Sequence, residues 1–194
     1  MAEPPPAGKL ILVNGASSAG KSTLCRALQA SLGQPFLRFS PDFFLFDTDM
    51  LPGQGDEGGP FAWTNLRPQV FEGFFRCLPA LLSAGNNLVV DSIVESREGM
   101  DRLVEVLHPF DVFFVGLHCP LPELERRELA RGDRRPGDTR RDFGTVHSFG
   151  VYDLEVDSTQ PLEMNVQIVI RAWESRRRPS AFERMARRET ETRG

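Results

Sequence analysis

Two glycines five residues apart, followed directly by a lysine and a serine, set out Gly15-Ala16-Ser17-Ser18-Ala19-Gly20-Lys21-Ser22, with Thr23 next. The run fits the phosphate-cradling pattern G-x-x-x-x-G-K-[ST] without a gap. Its chemistry is anion binding by backbone. Glycine at both ends lets the loop curl until successive N–H groups point inward at phosphate oxygens, through dihedrals that a Cβ would obstruct. Lys21 then reaches the β- and γ-phosphates, and Ser22 offers a hydroxyl to a magnesium ion. The helix that starts here puts the positive end of its dipole under the anion. The whole run from Gly15 to Thr23 is therefore the candidate nucleotide site.

The flanks supply the elements that such a loop needs. Leu10-Ile11-Leu12-Val13 is a short apolar run suited to a buried parallel strand. Leu24, Leu28 and Leu32 recur at helical spacing before Gly33 and Pro35 stop the helix. Residues 35–39 read as a second strand that delivers Ser40-Pro41-Asp42 to the loop's edge of the sheet, since parallel strands end along one crevice. Asp42 is thus placed where a reacting group could sit. Leu88-Val89-Val90-Asp91 reads as a third strand ending in a carboxylate, the form of the acid that holds magnesium in P-loop proteins. Further helices are expected over 67–84, 98–107 and 160–175, with strands over 112–117 and 152–157. This alternation predicts a three-layer α/β domain around a mostly parallel five-stranded sheet with right-handed crossovers.

Two other stretches carry chemistry. Seven arginines fall between positions 126 and 141, among them Arg126, Arg127, Arg131 and Arg134, and glycine and proline interrupt them at 132, 136 and 137. Interspersed acids allow a plain ion-paired helix. With a phosphate loop upstream, a mobile lid over about 126–145 that closes its cations on phosphates is the favoured reading. The run Phe43-Phe44-Leu45-Phe46 precedes Asp47, Asp49 and a glycine-rich stretch over 52–60. Core packing and an apolar acceptor pocket, with Trp63 in its wall, explain it equally well.

Composition excludes other classes. The 194 residues are 40% hydrophobic and 26% charged, ordinary for one soluble domain. We expect a proline-rich, disordered leader over 1–8, a single domain over 9–178 and a basic tail over 179–194. No apolar run approaches a bilayer span, and the start lacks a signal peptide's regions, so a cytoplasmic protein without a membrane partner is expected. Cys25, Cys77 and Cys119 are odd in number and far apart, which predicts buried thiols. Residues 171–194 hold eight Arg against four Glu, whereas 15 bases face 23 acids before them. An acidic body repels a phosphate backbone, so no nucleic-acid partner is expected.

Asn14-Gly15-Ala16-Ser17-Ser18-Ala19-Gly20-Lys21-Ser22, Phe39-Ser40-Pro41-Asp42, Ala130-Arg131-Gly132-Asp133-Arg134 and Val146-His147 before Tyr152-Asp153-Leu154-Glu155-Val156-Asp157 together resemble the chloramphenicol phosphotransferase family. These are P-loop small-molecule kinases related to nucleotide and shikimate kinases, and the resemblance spans about residues 9–175. It implies transfer of a phosphoryl group from ATP, with Mg2+, to a hydroxyl of a small molecule such as an antibiotic. It gives Asp42 the role of base on that hydroxyl. Lys21 and Ser22 become phosphate and metal ligands, Asp91 a second acid at the metal, and Arg131 and Arg134 catalytic lid arginines, with Arg127 beside the nucleotide. The segment 43–47 is more aromatic than its counterpart in the family, so the reaction class transfers more directly than the acceptor. A polynucleotide 5′-hydroxyl kinase and a non-catalytic ATP-binding regulatory module stay open as alternatives, as does oligomeric state.

Overall fold

Strand β1 (Lys9–Asn14) sits at the centre of the sheet because its four middle residues are apolar on both faces. A strand covered on both sides needs a continuous apolar run rather than alternation. A computed structural model describes residues 6–45, 62–131 and 137–193. Around β1 it arranges β2 (Leu37–Phe39), β3 (Leu88–Ser92), β4 (Asp111–His118) and β5 (Leu154–Asp157) in the order β2-β3-β1-β4-β5. Every ladder is parallel, which makes this the three-layer α/β sheet expected.

Successive strand residues point to opposite faces, and the two cores divide accordingly. Ile11, Val13, Val89, Phe113 and Val115 meet α1 (Lys21–Ser31) and α7 (Leu162–Glu174) on one side. Leu10, Leu12, Leu88, Val90 and Phe114 meet α3 (Trp63–Ser83), α4 (Arg97–Leu107) and α8 (Ala181–Arg193) on the other. Shorter pieces α2 (Asp42–Leu45), α5 (Leu121–Arg131) and α6 (Asp138–Phe143) lie beyond the strand ends.

Three elements differ from the sequence reading. Helix α3 begins at Trp63 rather than near residue 67 and runs through Pro68 and Pro79. Strand β5 begins at Leu154 because the two residues before it are engaged elsewhere: Tyr152 packs on Phe114, and Asp153 accepts from the backbone N–H groups of Phe114 and Ala181. The expected basic tail carries α8, with Ala181 and Phe182 fully buried and Met185 nearly so. Ser180 and Glu183 start that helix with a capping box, the Glu183 N–H donating to Ser180 Oγ and the Ser180 N–H to Glu183. Arg187 and Arg188 are exposed on its outer face, so charge content concealed a narrow apolar stripe.

Phe182 meets Phe114 edge to face with ring centroids 5.3 Å apart. Truncating a fully buried phenylalanine leaves a cavity that the neighbours only partly fill, so Phe182→Ala should cost about 3–5 kcal/mol. Urea unfolding of the variant measures it. A loss below about 1 kcal/mol, the scale of surface substitutions, would make α8 an appendage instead.

Candidate functional site

Parallel strands bring their carboxyl ends to one edge, and the register puts the candidate residues there together. Val13 pairs with Asp91 and Asn14 with Gly116, so the loop after β1 opens between the ends of β3 and β4. Phe39 pairs with Val90, which carries Asp42, three residues on, to the same edge beyond β3.

The loop itself has the predicted backbone. A Cβ on Gly15 would lie 2.6 Å from the carbonyl oxygen of Leu117, so only glycine lets β1 turn here against β4. Gly20 has φ 94° and leads directly into α1. Ser18 adopts φ 62°, unusual for a residue with a Cβ, and its Oγ is buried without a hydrogen-bond partner. Strain of this kind, about 1–3 kcal/mol, persists where the surroundings over-determine it, as at ligand clamps. Ala16, Ser17 and Ala19 are buried, whereas Thr23 on the first turn of α1 is exposed.

Side chains at the loop are already engaged. Lys21 is 9% exposed and its Nζ donates to the carbonyl of Ala16 at 2.8 Å. Ser22 Oγ donates to Asp91 Oδ2 at 2.7 Å. Asp91 is buried, and its other oxygen, Oδ1, has no partner. The hydroxyl and carboxylate assigned to one metal from sequence are therefore in contact although they stand 69 positions apart. Arg127 also reaches the loop, with Nη1 donating to the carbonyl of Ala19 at 3.2 Å and Nη2 to that of Ser158 at 3.0 Å. It ties the phosphate loop to the turn after β5.

Asp42 opens α2 at the end of β2, with its N–H donating to the buried Ser40 Oγ at 3.3 Å. Behind it stands an aromatic wall. Phe39 stacks on Phe74 at 5.3 Å, Phe43 meets Phe39 edge to face at 6.1 Å, and Trp63 leans on Phe71 at 6.5 Å. Phe74 is core, Phe43 is half-buried and Trp63 stays 38% exposed. The side chain of Phe44, and residues 46–61 with Phe46 and the glycine-rich stretch, lie outside what the structure describes.

Of the lid arginines, Arg131 closes α5, its side chain lying outside the described set, and Arg134 falls outside the described residues altogether. The start of α6 is held by α5. Glu128 on α5 accepts from the N–H groups of Gly137 and Thr139 at 3.2 and 3.0 Å, and Arg140 pairs with Glu125 at 2.6 Å. Helix α6 thereby brings Asp142 to the phosphate loop, where its Oδ2 accepts from the Ser17 N–H at 3.2 Å. Burial pushes the Asp142 carboxyl above its ordinary range, against the opposing pull of that hydrogen bond and of Arg141.

A network with no assigned role in the sequence reading anchors the root of the loop. Asn14 is buried; its Nδ2 donates to the carbonyl of Val146 at 2.8 Å and to Tyr152 Oη at 2.7 Å, and its Oδ1 accepts from the Val94 N–H at 2.9 Å. Tyr152 Oη in turn lies 2.7 Å from His147 Nδ1. Burial, with His118 stacked at 3.9 Å, pushes His147 down to about 4, so it is neutral near pH 7, and its tautomer sets which of the two groups donates in that contact. The sequence signal was a polar residue ending an apolar strand, which a buried site must satisfy.

Residues 8–174 match the family described as chloramphenicol phosphotransferase-like protein. Two Mycobacterium tuberculosis proteins that carry the provisional name O-phosphotransferase are each 30% identical over 204 residues, covering 94% of this chain and 90% of theirs. Among solved structures, the Mycobacterium tuberculosis APS kinase in complex with AMPPNP and APS is similar with a TM-score of 0.65 at 21% identity, over 88% of this chain and 100% of that one. The shikimate kinase of Aquifex aeolicus is similar with a TM-score of 0.55 at 16% identity, over 85% and 96%. At those identities the two structures speak for the fold.

Proposed function

This chain belongs to the chloramphenicol phosphotransferase-like family and is a phosphotransferase; we propose that it transfers the terminal phosphoryl group of ATP to a hydroxyl of a small, partly apolar molecule, an antibiotic being one candidate. The observation that carries this is the contact of Ser22 with the buried Asp91 at the mouth of the glycine loop. A serine on the first turn of α1 and an acid near the end of β3, 69 positions apart in the chain, meet there.

The same pair fits a magnesium ion. Its donors are hard oxygens, and Asp91 Oδ1 is a buried acceptor left unpartnered. Ser22 and Asp91 would hold it with the phosphates and water, as magnesium keeps few protein ligands, and it would neutralise charge on the transferred group.

The chain's own residues do the rest. Loop N–H groups and the α1 dipole bind the phosphates, and Lys21 exchanges its bond to Ala16 for the terminal phosphate. Arg127 borders the nucleotide through Ser158. Asp42 orients the acceptor hydroxyl in line with the terminal phosphorus and takes its proton as the new O–P bond forms and the bond to the diphosphate leaving group breaks. Arg131 and Arg134 shield the developing charge from water. Trp63, Phe71 and Phe43 supply the apolar wall for the acceptor.

No described helix is long and apolar enough to cross a membrane. The cysteines Cys25, Cys77 and Cys119 are all free thiols, which suits a reducing compartment, and we place the enzyme in the cytoplasm. The test is incubation with ATP, magnesium and a panel of hydroxyl compounds including chloramphenicol, read by mass spectrometry for gain of a phosphoryl group. Expected is a product that is absent when Asp42→Asn replaces the native chain. Bound ATP with no product from any acceptor, a polynucleotide 5′-end included, would favour the regulatory reading instead.

A further inference from the structure

Asp142 is a strange wall for a phosphate site. It is 3% exposed, it comes from α6 on the far side of the loop, and its carboxylate takes the N–H of Ser17, a residue of the phosphate-binding loop itself. Two further polar side chains of that loop likewise hold internal partners, Lys21 on Ala16 and Ser22 on Asp91. We propose that Asp142 is a carboxylate latch, a built-in occupant of the phosphate site that the outer phosphates of the nucleotide must displace from Ser17 before they bind.

The inference rests on the reading of this loop as the ATP site and goes beyond it. A backbone N–H committed to a carboxylate is withheld from a phosphate. Two anions side by side in a place poor in water also repel far more than they would in solvent. The charges facing Asp142 do not cancel this. Arg141 is 3.5 Å from Oδ1 but mostly exposed, Lys21 is the cation the phosphates themselves require, and Glu95 across the loop adds repulsion. The raised carboxyl of Asp142 has the same origin, an ion poorly compensated where it stands. Helix α6 has six residues; Thr139 near its start is fully buried, whereas Phe143 beside Asp142 is 44% exposed, so the end that bears the carboxylate is the less enclosed. Displaced, Asp142 would carry α6 away from the loop. Because α5 grips the start of α6 through Glu128 and Arg140, that movement would reach the arm bearing Arg131.

Asp142→Asn tests this, because asparagine keeps the shape and an acceptor oxygen for Ser17 while removing the charge. Calorimetric titrations of the full chain and the variant with ATP and with AMP, which lacks the β- and γ-phosphates, separate a latch from a support. The expected result is ATP binding about tenfold tighter in the variant with AMP affinity unchanged, a coupling of ordinary allosteric size. An unchanged ATP affinity, or an equal gain for both nucleotides, would overturn the latch and leave the nucleotide site standing. Failure of the native chain and the variant alike to bind any adenine nucleotide would overturn both.

Discussion

Lys21→Ala is expected to lower kcat by about three orders of magnitude, the scale on which single charge-stabilising groups act in phosphoryl and acyl transfer. Lys21 has one cation to offer and two places to put it. In the structure its Nζ is held on the carbonyl of Ala16 inside the loop, which spares the protein an unpaired buried charge. When phosphates enter, the same short swing carries it to the group being transferred. Alanine removes both uses. Loss of the first costs little stability, because alanine favours the opening turn of a helix and the Ala16 carbonyl can be met by water. Loss of the second is felt where charge spreads over the transferred oxygens, more in the transition state than in bound ATP. Steady-state kinetics should therefore show a collapse in kcat with a smaller change in KM, alongside an unaltered melting temperature. Turnover within about tenfold of the native chain would remove Lys21, and the loop with it, from the chemistry.

What could be read from the residues was whatever a local pattern encodes. β1 and β3 are apolar on both faces and short, and this alone marks buried parallel strands; the sheet follows from their alternation with helices. The phosphate loop is legible because its backbone demands glycine at fixed offsets, and Gly15 and Gly20 prove to be the positions where a close approach and a positive φ occur. Asp91 was legible for a weaker reason, its place at a strand end, and its contact with Ser22 is what sets it apart from other strand-terminal acids. Arg127 was assigned to the nucleotide through its place among the lid arginines, yet its guanidinium joins the loop to the turn after β5 through backbone carbonyls that no sequence pattern could name.

The missed features share one cause, contact between residues far apart in the chain. Asn14 and Tyr152 are 138 positions apart, Ser17 and Asp142 125. Asp142 looked like one more acid balancing arginines on a charged helix, and nothing within several residues of it distinguishes it from Asp138. Phe182 was hidden in another way. Its segment is dominated by arginine and glutamate, and two or three apolar residues on one face suffice to bury a helix when the sheet beneath is already formed. Hydrophobic stripes this narrow do not register in composition.

Asp42→Asn is expected to reduce kcat by a factor between about 10² and 10⁴, the range for a positioned general base, with ATP affinity nearly unchanged. Two roles compete for this carboxylate. It stands in the first turn of α2, where an acid meets the positive end of the helix, and its N–H is tied to Ser40 Oγ. If that were its whole purpose, asparagine would serve almost as well; the variant would lose a few tenths of a kcal/mol at most and none of its rate. A buried serine and a helix of four residues are, however, a considerable scaffold for a cap that stabilises so little. They fix the direction of the Asp42 backbone at the end of β2, next to the strand that ends in Asp91, on the edge where the phosphates bind. A carboxylate so fixed can hold an acceptor hydroxyl in line and receive its proton; an amide of the same shape can hold it but takes no proton. Stability and rate should therefore separate in this one substitution. Unfolding in urea should shift little, and single-turnover phosphoryl transfer should nearly stop. Turnover within about tenfold of the native chain would leave Asp42 only its place in the opening turn of α2 and reopen the search for the base among the groups at that sheet edge.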